Sequence, residues 1–242
     1  MPAYRSPAEA EVRDAVEARL RSIRPMSRII HEINVSGHGS NRIDLIAVGI
    51  DEIIAVEVKS AKDKLDRLPT QIKAMKGVAH HVVAAIHDKF LIEKATNQWA
   101  AHYQRGEEYF CRDAPVETKG ASVWVYPEVK RSQGTWDDLC PWRAPQVRHQ
   151  LALPSDAIWM LWRDELYELC GALRISVGRR ATMTDMAREL RWLLPGGELT
   201  KGICAALRAR KCIEADAPII DEAKAAVAAP RRINENIFQE RA

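Results

Sequence analysis

The sequence is poor in cysteine, and the way it spends the little it has excludes two classes of scaffold. Its five cysteines (Cys111, Cys140, Cys170, Cys204 and Cys212) are odd in number, widely scattered and without a C-x-x-C pair. A disulfide framework and a zinc site are therefore not expected, and a reducing cytoplasm is the expected location. Nowhere is there a run of about 18 apolar residues, so no membrane span is expected. The first residues, MPAYRSPAEAEVRDAVEARL, carry charge throughout and have no apolar centre, so no signal peptide is expected either. Internal repeats and low-complexity tracts are lacking. So is a strong excess of one charge: the formal net charge is +3 and the pI about 8.6. That permits a polyanionic partner without demanding one.

What is present is an ordinary globular composition, 47% hydrophobic and 29% charged over 242 residues. This is enough chain for a domain with a sizeable core and a smaller second unit. Ser6 to Ser22 reads as a helix, with Ser6 as the cap, Pro7 in the first turn and Val12, Ala15, Val16, Ala18 and Leu20 at helical spacing. The period then shortens. Arg28–Val35 and Arg42–Val48 are rich in β-branched residues and flank the turn-like SGHGSN; Ile53–Lys59 is a third strand. A helix from about Asp66 to Lys76 and a fourth strand, His81–Ile86, follow. Phe90–Tyr103 reads as helical and Ala121–Tyr126 as a strand at the sheet edge. Three strands in a meander, joined to a fourth by a helical crossover, make a mixed α/β sheet flanked by helices.

The chemistry lies in Asp44, twelve intervening residues, and then Glu57-Val58-Lys59. Spacing alone is weak support, because about one E-x-K is expected by chance in a chain of this length. The sequence holds four, beginning at Glu57, Glu117, Glu128 and Glu222. Context separates them: only Glu57 closes an apolar strand that follows another strand bearing an acid at its start. With a hairpin turn centred between Ile50 and Asp51, cross-strand partners have numbers summing to 101. Asp44 and Glu57 then face each other, with Cα atoms about 4.5–5.5 Å apart, and Lys59 shares the face of Glu57. Facing carboxylates repel unless a cation stands between them. Oxygen donors of this kind suit Mg²⁺, with Mn²⁺ as the alternative, and such an ion polarises phosphodiesters and acidifies bound water. Lys59 is placed to orient that water or to stabilise charge on phosphorus.

The stretch I-D-L-I-A-V…I-A-V-E-V-K-S behind an acid-bearing helix resembles the PD-(D/E)XK nuclease superfamily. The segments EVRDAVEARL, HEINVSGHGSNRIDLIAV and VEVKSAKDKLDRLPTQ are also similar to MmcB-like bacterial and phage members. Ile43 stands where many members have proline. The resemblance implies a restriction-endonuclease-like sheet, metal ligation at Asp44, Glu57 and Val58, and a catalytic lysine at Lys59. It further implies a helix-borne acid at Glu9 or Glu11, and Gln71 near the scissile phosphate. Glu32 alternates with Ile30 and either points at the site or is an ordinary polar position. Lys62, Lys64, Arg67, Lys73 and Lys76 follow the motif closely. Of these, Lys62, Arg67 and Lys73 are the candidates for phosphate contact. Gly37 and Gly39 lie in a loop beside the site. His31, His38, His80 and His81 show no metal spacing, and His80 and His81 read as the opening of a strand.

Residues 127–152, with three prolines and two tryptophans, read as a connector between a nuclease-like domain (1–126) and a small all-helical C-terminal domain (153–214), with a tail over 215–242. Ser155–Ala172, Thr184–Leu194 and Leu199–Lys211 are the expected helices. Trp159, Trp162, Leu166 and Leu169 recur at helical spacing, as a core stripe does. Arg174, Arg179, Arg180, Arg188, Arg191, Arg208 and Arg210 make this half basic in patches and fit a DNA-binding or docking unit. The expectation is a Mg²⁺-dependent deoxyribonuclease acting in DNA repair, restriction or phage biology. RNA stays open as a substrate, and double-strand cleavage would favour a homodimer by symmetry. The alternative is a nuclease-fold protein that grips DNA or a partner without cutting.

Overall fold

A computed structural model describes residues 6–35, 42–128, 142–146 and 151–220. Helix α1 (Pro7–Ile23) starts where the serine cap and proline demand: Ser6 Oγ accepts the Glu9 N–H at 3.2 Å, and Pro7 occupies the first turn. Strands β1 (Arg28–Asn34), β2 (Arg42–Val48) and β3 (Ile53–Lys59) form the expected antiparallel meander. The β2–β3 register pairs Leu45 with Val56 and Val48 with Ile53, as a turn centred between Ile50 and Asp51 requires. Helix α2 (Leu68–Lys76) crosses back to β4 (His81–His87), which lies parallel to β3. The two faces of the sheet bury different apolar sets. Val12, Val16 and Leu20 of α1 pack on Leu45, Val56 and Val83; Leu68, Ile72 and Met75 of α2 pack on Ile46, Ala55 and Ile86.

Phe90–Tyr103 is not a helix. It holds β5 (Ile92–Thr96) and the start of β6 (Tyr103–Arg105), which with β7 (Glu108–Asp113) makes a separate three-stranded antiparallel sheet in the order β5-β7-β6. Leu91, Ala95 and Trp99 have helical spacing, but two observations decide against it. Asn97 caps a single short turn, Gln98–Ala100, and Tyr103 stacks on its cross-strand partner Phe110 with ring centroids 5.6 Å apart. Gly106, at φ 63°, makes the turn into β7. The expected edge strand is present as β8 (Ser122–Tyr126), parallel to β4, so the main sheet runs β1-β2-β3-β4-β8.

The segment expected as one helix over Ser155–Ala172 is divided. A 3-10 turn (Ser155–Met160) is followed by extended backbone at Leu161 and Trp162, and α3 (Arg163–Ala172) begins afresh with the Glu165 carboxylate accepting the Trp162 N–H at 2.7 Å. The tryptophan stripe is therefore broken. Leu166 and Leu169 are buried, whereas Trp162 is 58% exposed beneath Arg210, 4.4 Å from its ring centre. Helices α4 (Met183–Leu193) and α5 (Gly196–Ala209) complete this layer, α5 starting earlier than Leu199 because Pro195 sets its entry. Leu166, Leu190, Ile203 and Leu207 belong to the same buried cluster as the α2 face of the sheet, so the helices and the sheet share one core.

The start of the expected tail is part of the structure. Ala215 bridges Ile30, the Asp216 N–H donates to the Ile29 carbonyl at 2.9 Å, and Arg21 holds the Asp216 carboxylate. Residues 214–216 thereby cover the outer edge of β1. Of the expected tail, 221–242 lie outside the described residues, as does most of the expected connector. No helix among the described residues is long and apolar enough to cross a membrane.

Candidate metal centre

The β2–β3 ladder ends at Leu45–Val56, one pair short of Asp44 and Glu57. At that point the Val58 N–H donates to Asp44 Oδ2 at 2.8 Å instead of to a main-chain carbonyl. The same level is irregular in β1, where the register brings Glu32 opposite Asp44 and Glu32 adopts φ 56°. Ile30 and Ile33, like Ile43 and Ile46, face the same core although they are three apart. Strict alternation would put them on opposite faces, so both strands slip by one residue at Glu32 and Asp44. Glu32, Asp44 and Glu57 thus form a row of three carboxylates across adjacent strands.

Glu57 is 1% exposed. Its Oε1 accepts from Lys59 Nζ at 2.6 Å and from the Gln71 amide, which reaches over from α2. Its Oε2 is buried and has no hydrogen-bond partner among the described residues, and the same is true of Gln71 Oε1. Burial pushes the Glu57 carboxyl up, Asp44 adds to the rise, and Lys59 and Arg13 oppose it, leaving it at about 8. Glu57 and Asp44 open onto a cleft of about 570 Å³ with Lys59, Gln71 and Glu9. Arg42, Lys64 and Arg67 supply positive charge to the same cleft.

Of the residues singled out from sequence, Asp44, Glu57, Val58, Lys59, Glu9, Gln71 and Arg67 all line this cleft. Glu11 is exposed on another part of α1. Lys62 and Lys73 are exposed but do not line it; Lys73, two residues beyond Gln71, lies about 200° round the helix. Gly37, His38 and Gly39 lie outside the described residues. His80 and His81 stand at the start of β4, at the opposite end of the sheet strands from Glu57. There His80 Nδ1 accepts the Ile53 N–H, and His81 lies 3.1 Å from Glu52. In the helical layer Arg208 and Arg210 are buried, Arg210 being paired with Glu165 at 2.5 Å. They do not belong to an exposed basic patch.

Sequence reasoning missed Arg13. It is buried, and its guanidinium joins Glu9 Oε1 (2.8 Å), Glu32 Oε1 (2.6 Å), Asp44 Oδ1 (3.1 Å) and the Asp44 carbonyl (3.0 Å). Burial alone would lower its pKa, but Asp44, Glu32 and Glu9 together hold it above the ordinary value. A signal was available. Arg13 lies one turn after Glu9, next to Val12 and one turn before Val16 on the apolar face of α1, where a charge needs a partner.

Residues 5–98 match the family model of bacteriophage P4 protein cII. That stretch runs from α1 through β5 and contains Glu9, Arg13, Asp44, Glu57, Lys59 and Gln71, so the part of the chain that carries the candidate site is similar to a phage protein. No curated protein and no solved structure matches the chain.

Among the described residues no group of three or more His, Cys, Asp or Glu side chains is disposed to hold a metal ion by itself. The donors that line the cleft are the Asp44 and Glu57 carboxylates and the main chain at Val58, next after Glu57. This set suits a hard divalent cation that keeps several waters, as Mg²⁺ does, and not zinc.

Proposed function

We propose that the chain is a metal-dependent endonuclease that hydrolyses DNA phosphodiesters. The observation that carries the reading is the buried Glu57 carboxylate, which lines the cleft with Asp44, with its Oε2 lacking a partner among the described residues and with Lys59 at hydrogen-bond distance. A buried carboxylate oxygen with no donor is costly, and a second carboxylate nearby adds to the cost. A divalent cation removes both penalties. Asp44, Glu57 and the Val58 carbonyl are the groups that would hold it, and when bound it supplies the positive charge that polarises a phosphodiester.

The protein's own residues do the rest. Lys59 holds Glu57 in place and carries an ammonium to the side of the cleft where charge would build on phosphorus. Gln71 fixes the same carboxylate from α2 and has an amide oxygen left to accept from a water. Arg67, Lys64 and Arg42 give the rim the charge that a phosphate backbone needs. The phage relationship of residues 5–98 fits a nuclease of phage biology.

A second reading has one observation in its favour. Asp44 spends one oxygen on Arg13 and the other on Val58, an arrangement that is balanced without a metal and fits a nuclease-like fold that binds DNA without cutting. One experiment separates the two: labelled plasmid, single-stranded, branched and RNA substrates incubated with Mg²⁺, Mn²⁺ or EDTA, beside Lys59→Ala. Cleavage that needs the metal and disappears in the variant is expected. Cleavage surviving in EDTA sinks the mechanism, and binding without cleavage of any substrate establishes the second reading.

A further inference from the structure

We infer that Arg13 is a positioning residue that sets the metal affinity of the site by holding the Asp44 carboxylate in its binding orientation; this rests on the proposal that Asp44 and Glu57 are metal ligands. Arg13 does not line the cleft, so it acts through Asp44 and not on substrate. It grips Asp44 at two points, the carbonyl at 3.0 Å and Oδ1 at 3.1 Å, and the Val58 N–H takes Oδ2 from the other side at 2.8 Å. The side-chain torsion of Asp44 is thereby fixed in a strand whose regular pairing has lapsed at that very residue. The lone pairs that remain on the carboxylate face a direction the protein has chosen in advance.

Arg13 is itself clamped, with Nε on Glu9 at 2.8 Å and Nη2 on Glu32 at 2.6 Å. This gives the two acids a different task from ligation: Glu9 spends Oε1 on Arg13, and Glu32, away from the cleft, supports it from β1. A cation near a metal site would ordinarily weaken binding by repulsion. Here Glu9 and Glu32 offset the charges of Arg13 and of Arg42, which also pairs with Glu32, so repulsion is small and the effect of orientation dominates. The planar fork is essential, because a lysine ammonium cannot reach four acceptors spread over three elements.

The test is Mn²⁺ titration calorimetry on the full chain, at a temperature where circular dichroism shows each variant folded. Wild type, Arg13→Lys and Glu32→Gln are compared. Arg13→Lys keeps the charge and should weaken Mn²⁺ binding by about 10- to 100-fold, the usual cost of removing a partner of a metal ligand. Glu32→Gln should weaken it in the same direction and less, and it decides the matter alone if Arg13→Lys does not fold. A residue that merely supports the fold would lower the melting temperature and leave the Kd of the folded protein unchanged. Wild-type affinity in the variants overturns the inference and leaves the metal reading standing, whereas a wild type that binds no Mn²⁺ overturns both.

Discussion

The Val58 N–H donates to Asp44 Oδ2 at 2.8 Å, so a side chain takes over where the ladder between β2 and β3 stops. That bond ties the acid to the strand bearing Glu57 and Lys59. It also predicts how two substitutions at Asp44 differ. An asparagine side chain retains an oxygen that accepts the Val58 N–H but turns its NH2 group toward the buried Arg13 guanidinium, so Asp44→Asn should lose divalent-ion binding and cleavage together with part of the stability. Asp44→Ala leaves that N–H without its acceptor and should cost about 1–3 kcal/mol more in chemical denaturation.

The raised Glu57 carboxyl makes stability depend on pH. Folded, it titrates at about 8, against 4.5 in its ordinary environment. The stability linked to its proton is complete below 4.5 and is lost as pH rises through 8. Glu57→Gln carries no such proton and keeps an oxygen for Lys59. In EDTA at pH 8 the variant should therefore melt higher than wild type, with the gap closing by pH 5. Parallel thermal melts across that range check this, and a gap that does not shrink toward acid pH counts against it.

Glu52 sits at the other end of the sheet and shifts the opposite way. Burial pushes its carboxyl up, but hydrogen bonds from His81 and Arg24 outweigh that and hold it at about 2, below its ordinary 4.5. Its contribution is present above 4.5 and is lost as pH falls through 2. The size is about 3 kcal/mol at neutral pH. Glu52→Gln should lower the urea midpoint at pH 7, and the difference from wild type should vanish on acidification.

Trp124 and Trp142 stack at 5.2 Å with their rings 6° from parallel, both buried against α1 and the edge of the sheet. Trp142 also donates its indole N–H to the Val125 carbonyl at 2.8 Å. Trp142→Ala should cost about 3–5 kcal/mol. Denaturant melts followed by near-ultraviolet circular dichroism measure the loss of both the stack and the stability.

Much of the main sheet was legible because its determinants are local. β-branched runs set β1 to β4, Ser6 and Pro7 set the start of α1, and a short hairpin turn fixed the β2–β3 register up to Leu45 and Val56, next to Asp44 and Glu57. The helix expected over Phe90–Tyr103 failed because Tyr103 and Phe110 pair across strands, which no local spacing can report. The Trp159–Trp162 stripe failed for a related reason. Extended backbone at Leu161 and Trp162 breaks the helix on which it was drawn.

The sequence by itself determined which residues carry the candidate chemistry, since Asp44, Glu57 and Lys59 lie on neighbouring strands joined by one short turn, and Gln71 follows on the next helix. Tertiary structure alone decided what surrounds them. Arg13 comes from 31 residues away to hold Asp44, the alternation slips at Glu32 and Asp44, and Glu57 keeps a buried oxygen without a donor among the described residues. The division follows from range. Hairpin register and strand alternation are properties of adjacent residues, whereas the pairing of a buried charge depends on which element the folded chain lays against it.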